Sequence, residues 1–225
     1  QSVSYTARVS DTAGNQSAAG TAYTATVDTL APSTTAAVTS ITDNVGIVQG
    51  TVTSGGVTDD TSLVIGGTLS ANLSAGETVR IYDGSTYLGD ATVSGTSWSY
   101  TDSRTLTNGQ SVSYTARVSD TAGNQSAAGT AYTATVDTLA PSTTAAVTSI
   151  TDNVGIVQGT VTSGGVTDDT SLVIGGTLSA NLSAGETVRI YDGSTYLGDA
   201  TVSGTSWSYT DSRTLTNGQS VSYTA

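Results

Sequence analysis

Polar and apolar residues alternate through most of this chain. In SVSYTARV (111–118), Val112, Tyr114, Ala116 and Val118 share one side and polar residues the other. TAYTATV (130–136) places Tyr132, Ala134 and Val136 together, and TVRIY (78–82) does the same for Val79 and Ile81. SLVIGGTL (62–69) aligns Leu63, Ile65, Gly67 and Leu69, and SWSY (97–100) presents Trp98 and Tyr100. Period-two alternation rich in β-branched and aromatic residues marks half-buried strands. No stretch shows a helical period of useful length.

Turn signals separate these runs: SAGE at 74–77, DGST at 83–86, SGTS at 94–97, TNGQ at 107–110 and DTAGNQ at 120–125. Glycine supplies positive φ there, and Asn and Asp tolerate it. The pattern predicts seven strands, at 35–42, 62–70, 77–83, 86–93, 97–102, 111–119 and 129–137. Seven short strands in about 100 residues make an all-β, antiparallel two-sheet sandwich. Trp98 and its counterpart Trp207 are expected in the core, where burial of so large a ring contributes a few kcal/mol.

The pattern repeats. QSVSYTA stands at residues 1–7, 110–116 and 219–225, and residues 1–116 are identical to residues 110–225. The period of 109 residues is too long for a solenoid repeat and matches one small domain. The only prolines, Pro32 and Pro141, lie in VDTLAPSTT, just after a predicted strand, and mark the domain boundary. The expected organisation is a two-strand fragment at 1–30, a complete domain at 32–139, and at 141–225 five strands with most of a sixth. Identical copies fit an array in which every unit has the same task, or an engineered tandem of one domain. The end pieces carry complementary strand sets. Residues 1–30 of one molecule are therefore expected to complete residues 141–225 of the next, unless the sequence continues as a longer repeating chain.

Composition narrows the chemistry. Cys and His are absent, and all six basic residues are arginine. Thiol, imidazole and lysine catalysis and His-ligated zinc are thereby excluded. A net charge of −12 disfavours nucleic acid and anionic membrane as partners and suits cations. No apolar run reaches the ~18 residues of a membrane helix. Sixteen of the eighteen acids are Asp, the short oxygen ligand that hard cations such as Ca²⁺ take. With no disulfide and a core of small residues, another staple is expected.

Two acidic clusters are candidate Ca²⁺ sites. Asp43, Asn44, Asp59 and Asp60, repeated as Asp152, Asn153, Asp168 and Asp169, bracket a Gly-rich stretch of hairpin length. If it folds back, three carboxylates and an amide converge, and like charges so close call for a cation. The alternative is a set of solvated Asx turns. The second cluster lies at the joint between units. Asp28 or Asp137, after the last strand, is expected to face the loop between the sixth and seventh strands of the adjoining unit, which holds Asp11 and Asn15 or Asp120 and Asn124. Here the alternative is a loop capped by its own Asp, with a flexible joint. Asp83 reads as a turn former; Glu77, Asp90 and Asp102 read as solvated surface acids.

The string VTDDTS, AGETVRIYDG, LGDATVSGTSWSYT, YTARVSDTAGNQSA and YTATVDTLAP resembles the bacterial immunoglobulin-like extender repeats of giant, type I-secreted RTX adhesins of biofilm and ice-binding type. The resemblance spans the whole period. It implies an Ig-like β-sandwich in end-to-end tandem, Ca²⁺ in loops and joints, and an extracellular place on a bacterial cell surface. It also implies a non-catalytic spacer role, holding a distal ligand-binding region away from the cell. By the same resemblance Asp43, Asp59, Asp60, Asp120 and Asp137 match the acidic positions of such repeats. A second reading is a carbohydrate- or surface-binding module with Tyr82, Tyr87 and Tyr100 as a stacking face. A glycosidase built on Asp59 and Asp60 is disfavoured, because adjacent side chains on a strand diverge.

Overall fold

A computed structural model describes all of residues 1–225 and contains strands and turns but no helix. It divides into two compact units, Gln1–Leu139 and Ala140–Ala225.

The first unit opens with a hairpin of β1 (Ser2–Tyr5) and β2 (Tyr23–Thr26). Ten strands follow: β3 (Ala36–Asp43), β4 (Gly50–Val52), β5 (Gly56–Thr58), β6 (Val64–Leu69), β7 (Thr78–Asp83), β8 (Thr86–Asp90), β9 (Thr92–Ser94), β10 (Ser97–Thr101), β11 (Ser111–Ser119) and β12 (Tyr132–Val136). They form two five-stranded sheets, in the orders β4-β3-β6-β10-β9 and β5-β12-β11-β7-β8. This segregation of strands is that of an immunoglobulin-type sandwich. The count is ten rather than the expected seven, for two physical reasons. The predicted strand at 86–93 breaks at Ala91, so that β8 pairs with β7 and β9 with β10. The long connection after β3 is not a plain loop: β4 folds back on β3, and β5 crosses to the other sheet. There β5 pairs with β12 in parallel, the exception to an otherwise antiparallel pattern.

The alternating positions meet between the sheets. Ile41, Leu63, Ile65 and Trp98 from one sheet and its flanks pack with Val79, Ile81, Val112, Tyr114 and Val136 from the other. Trp98 lies against Gly67, where a Cβ would run into its ring and the Ala37 carbonyl. The indole N–H donates to the Thr68 carbonyl at 3.3 Å, so the one polar atom of the ring is satisfied.

The second unit repeats the first sheet with β13 (Ala145–Asp152), β14 (Gly159–Val161), β15 (Val173–Leu178), β18 (Thr201–Ser203) and β19 (Ser206–Thr210). Its other sheet has three strands, β16 (Arg189–Asp192), β17 (Thr195–Asp199) and β20 (Tyr223–Thr224). Residues 165–167, which correspond to β5, form no strand. Their parallel partner in the first unit is β12, which has no counterpart among residues 140–225.

Candidate cation sites at the ends of the sandwich

The stretch between the two acidic triplets does fold back. β3 and β4 make a tight hairpin with tip at 44–49, and β5 then brings Thr58 beside Asp43. The Thr58 hydroxyl donates to Asp43 Oδ2 at 2.6 Å, and the Val45 amide donates to Asp43 Oδ1 at 3.0 Å. Asp60 Oδ1 accepts from the Ser62 amide at 2.7 Å and Oδ2 from the Asn44 amide at 3.3 Å. Gly46, at φ +65°, fits where a Cβ would strike the Asp59 carboxylate, so the tip closes against Asp59 only with glycine there.

Asp43 and Asp60 are 6% and 2% exposed, and neither forms an ion pair. Burying a carboxylate without a counter-charge is costly even when hydrogen bonds are made. Each oxygen here accepts one hydrogen bond and keeps a lone pair for a hard cation. Carboxylate oxygens are the kind of donor that hard cations such as Ca²⁺ take. The expected convergence of three carboxylates is not observed. Asp59 is exposed while its neighbour Asp60 is buried, because successive residues leaving β5 point to opposite sides. No group of three or more acidic side chains comes together as a metal site, and Asn44 contributes its main-chain amide rather than its side chain.

In the second unit the arrangement recurs. Thr167 donates to Asp152 Oδ2 at 2.6 Å, and the Asn153 and Ser171 amides donate to Asp169 at 3.2 and 2.8 Å. The hydroxyl of Thr167, seconded by the Val154 amide, holds the Asp152 carboxyl below its ordinary range. Asp168, like Asp59, is exposed.

At the other end of the first unit the 1–30 hairpin meets the loop after β11. The Asn124 side-chain amide donates to the main-chain carbonyl of Asp28 at 3.2 Å. The side chains of the two acids are otherwise engaged. Asp120 accepts from the amides of Ala122 and Asn124 and from the Asn124 side chain at 2.8–2.9 Å. These bonds, chiefly that from the Asn124 side chain, hold its carboxyl below the usual range. Asp11 and Asn15 repeat the pattern. Asp28 and Asp137 each cap the amide two residues on, Leu30 and Leu139. The joint thus brings Asp28 and Asn124 together through a carbonyl and an amide, while the four Asp side chains close their own turns.

The sequence reading missed the best-knit polar group. Asp102, expected at the surface, is fully buried. Arg104 donates to it from Nε and Nη2, the Tyr114 hydroxyl donates to it at 2.7 Å, and Arg104 Nη2 reaches Asp83 at 2.9 Å. Asp83 also accepts from the Ser113 amide at 2.7 Å, so it is more than a turn former. Burial pushes the Asp102 carboxyl up, but the bonds from Arg104 and Tyr114 outweigh it and hold it below the ordinary range. Burial and the same carboxylate raise the Tyr114 hydroxyl. The group ties β7, β11 and the loop after β10 together. Its signal, an Asp-x-Arg pair after a strand, is short and common.

The tyrosines do not form an open stacking face. Tyr82 and Tyr87 are tilted at 56° with centroids 5.6 Å apart, and Arg80 lies over Tyr87 at 4.2 Å. The Tyr100 hydroxyl donates to the Leu88 carbonyl at 2.9 Å. The cavity of about 190 Å³ beside Asp43, Val48 and Val57 has no aromatic lining. No family model matches the chain, and neither does any curated protein.

Proposed function

We propose that this chain belongs to the extender region of a bacterial cell-surface adhesin: a non-catalytic, extracellular tandem of Ig-like domains that Ca²⁺ stiffens. One observation carries the reading. Each unit holds two buried carboxylates without a cationic partner, Asp43 with Asp60 and Asp152 with Asp169, and in the first unit they lie beside Thr58, whose carbonyl accepts from the Asp137 amide after the last strand. A bound Ca²⁺ would supply the missing charge and tie the hairpin tip to the strand exit. The resemblance to RTX adhesin repeats and the letter-for-letter repeat point the same way, with neighbouring repeats as end-to-end partners. Extracellular fluids hold millimolar Ca²⁺, so dissociation constants of ~10⁻⁴–10⁻³ M suffice.

The test is thermal unfolding in excess EDTA and in 10 mM Ca²⁺. A site with a dissociation constant of ~10⁻⁴ M adds about 2.7 kcal/mol at that concentration, a rise of several degrees. Replacing Asp43, Asp60, Asp152 and Asp169 together by Asn should abolish the rise. Identical melting with and without Ca²⁺ removes the calcium reading. The carbohydrate-binding alternative rests on Tyr82, Tyr87 and Tyr100, and binding of a single repeat to a glycan array would favour it.

A further inference from the structure

One motif stands outside the spacer reading. The triplet Asn-x-Ser, an acceptor of N-linked sugar, occurs at 15–17, 72–74, 124–126 and 181–183. Transfer of a sugar needs an exposed Asn amide and, two residues on, a hydroxyl that can bond with it.

The structure separates the four triplets into two kinds. Asn72, Leu73 and Ser74 lie between β6 and β7, outside any strand. Leu73 packs against the core, and the residues on either side of it are exposed. No other residue holds the Asn72 side chain or the Ser74 hydroxyl. The turn that follows is closed by Glu77 instead: its carboxylate accepts from the Ser74 amide at 2.8 Å, and its amide donates to the Ser74 carbonyl at 3.1 Å. The second unit repeats the arrangement. Asn181 and Ser183 are exposed, Leu182 packs on the core, and Glu186 accepts from the Ser183 amide at 2.8 Å.

The other two triplets are already engaged. The Asn124 side-chain amide donates to Asp120 Oδ2 at 2.8 Å and to the Asp28 carbonyl at 3.2 Å. Ser126 is buried, and its hydroxyl accepts from the Val118 amide at 3.0 Å and donates to the Ala127 carbonyl at 3.1 Å. Asn15 and Ser17 are bonded in the same way, to Asp11, Val9 and Ala18. Modifying either Asn would open the turn that its Asp closes.

We infer that Asn72 and Asn181 are sites of N-linked glycosylation, with a nucleoside-diphosphate hexose as the sugar donor. The Asn72 side-chain nitrogen attacks the anomeric carbon of the hexose. The C–N bond forms, and the bond from that carbon to the phosphate oxygen breaks. The nucleoside diphosphate leaves with the electron pair, and the amide proton passes to a base on the transferase. The Ser74 hydroxyl orients the amide. The sugar stands at the end of the sandwich where β11 finishes, since Ser119 pairs with Thr78 and Gly76 lies against Thr121. One such site falls in every 109-residue period. The inference is independent of the calcium reading.

The test incubates the folded 225-residue chain with a soluble N-glycosyltransferase and a nucleoside-diphosphate hexose. The enzyme is one first shown to modify unfolded proteolytic peptides that carry these triplets. Intact mass should show two hexoses per chain, and peptide mapping should place them on Asn72 and Asn181, with Asn15 and Asn124 bare. Asn72→Gln and Ser74→Ala should each remove one hexose, and Asn181→Gln and Ser183→Ala the other. All four positions are exposed, so these variants leave the core untouched. A folded chain that gains no hexose at Asn72 and Asn181 overturns the inference. So does a folded chain modified at Asn124 to the same extent.

Discussion

Residues 2–26 and 111–135 share one sequence and one hairpin register but lead different lives. In the first, β1 spans four residues and Tyr5 is 70% exposed; in the second, β11 spans nine and Tyr114 is fully buried. The bridge from Ser10 to Gln16 recurs as Ser119 to Gln125, and Asp11 closes its loop as Asp120 does. Register and turn are thus local properties, set by Asp-capped loop chemistry. Strand length and burial come from β7 and β3, which only the second copy meets. The two units repeat the lesson: where β12 is present residues 56–58 form a strand, and where it is not the same residues at 165–167 do not.

The contrast can be broken by substituting one residue in its three settings. Tyr114→Ala should cost about 3–5 kcal/mol, since it empties a core position and strips a donor from buried Asp102. Tyr223→Ala should cost less, because Tyr223 is only half-buried, and Tyr5→Ala should fall within about 0.5 kcal/mol of wild type. Urea unfolding, followed by Trp98 fluorescence in a Trp207→Phe background and the converse, gives the order; equal costs would mean the burial contrast has no energetic weight.

Arg104→Ala is the next effect in size. It leaves Asp102 buried and without its cation, a loss of about 3 kcal/mol that solvent screening of the partly exposed Arg104 reduces. Arg104→Lys should recover only part, because one ammonium cannot reproduce the fork that spans Asp102 and Asp83. Chemical denaturation of the three proteins at pH 7 decides it.

The smallest effect is on pH. The Asp211 carboxyl is held at about 2 and that of Asp102 is also lowered, in both cases because arginine and tyrosine donors outweigh burial. A lowered folded value means the unfolded chain takes protons first as pH falls. This stabilisation is therefore present above about pH 4, the unfolded value, and is lost as pH drops toward 2. Melting temperatures measured from pH 5 to pH 2 should decline in wild type more steeply than in an Asp211→Asn variant; parallel curves would assign the acid sensitivity to other carboxylates.

Alternation and turn residues already contained the all-β sandwich and its core, whereas the structure keeps residues 1–30 in one compact unit with the residues up to Leu139. Sandwich and core follow from short-range rules: side chains alternate every residue along a strand, and glycine or Asx residues end it. The meeting of the two triplets was also legible, since sixteen residues with glycines between them suffice for a hairpin. The split at Ala91, the crossing of β5 to the other sheet and the burial of Asp102 were not. Asp102 depends on Tyr114 and, through Arg104, on Asp83, and β5 depends on β12 nearly eighty residues away. Asp59 and Asp60 show the limit most clearly. As letters they are equivalent, and only the direction in which the strand enters the fold buries one and leaves the other in water.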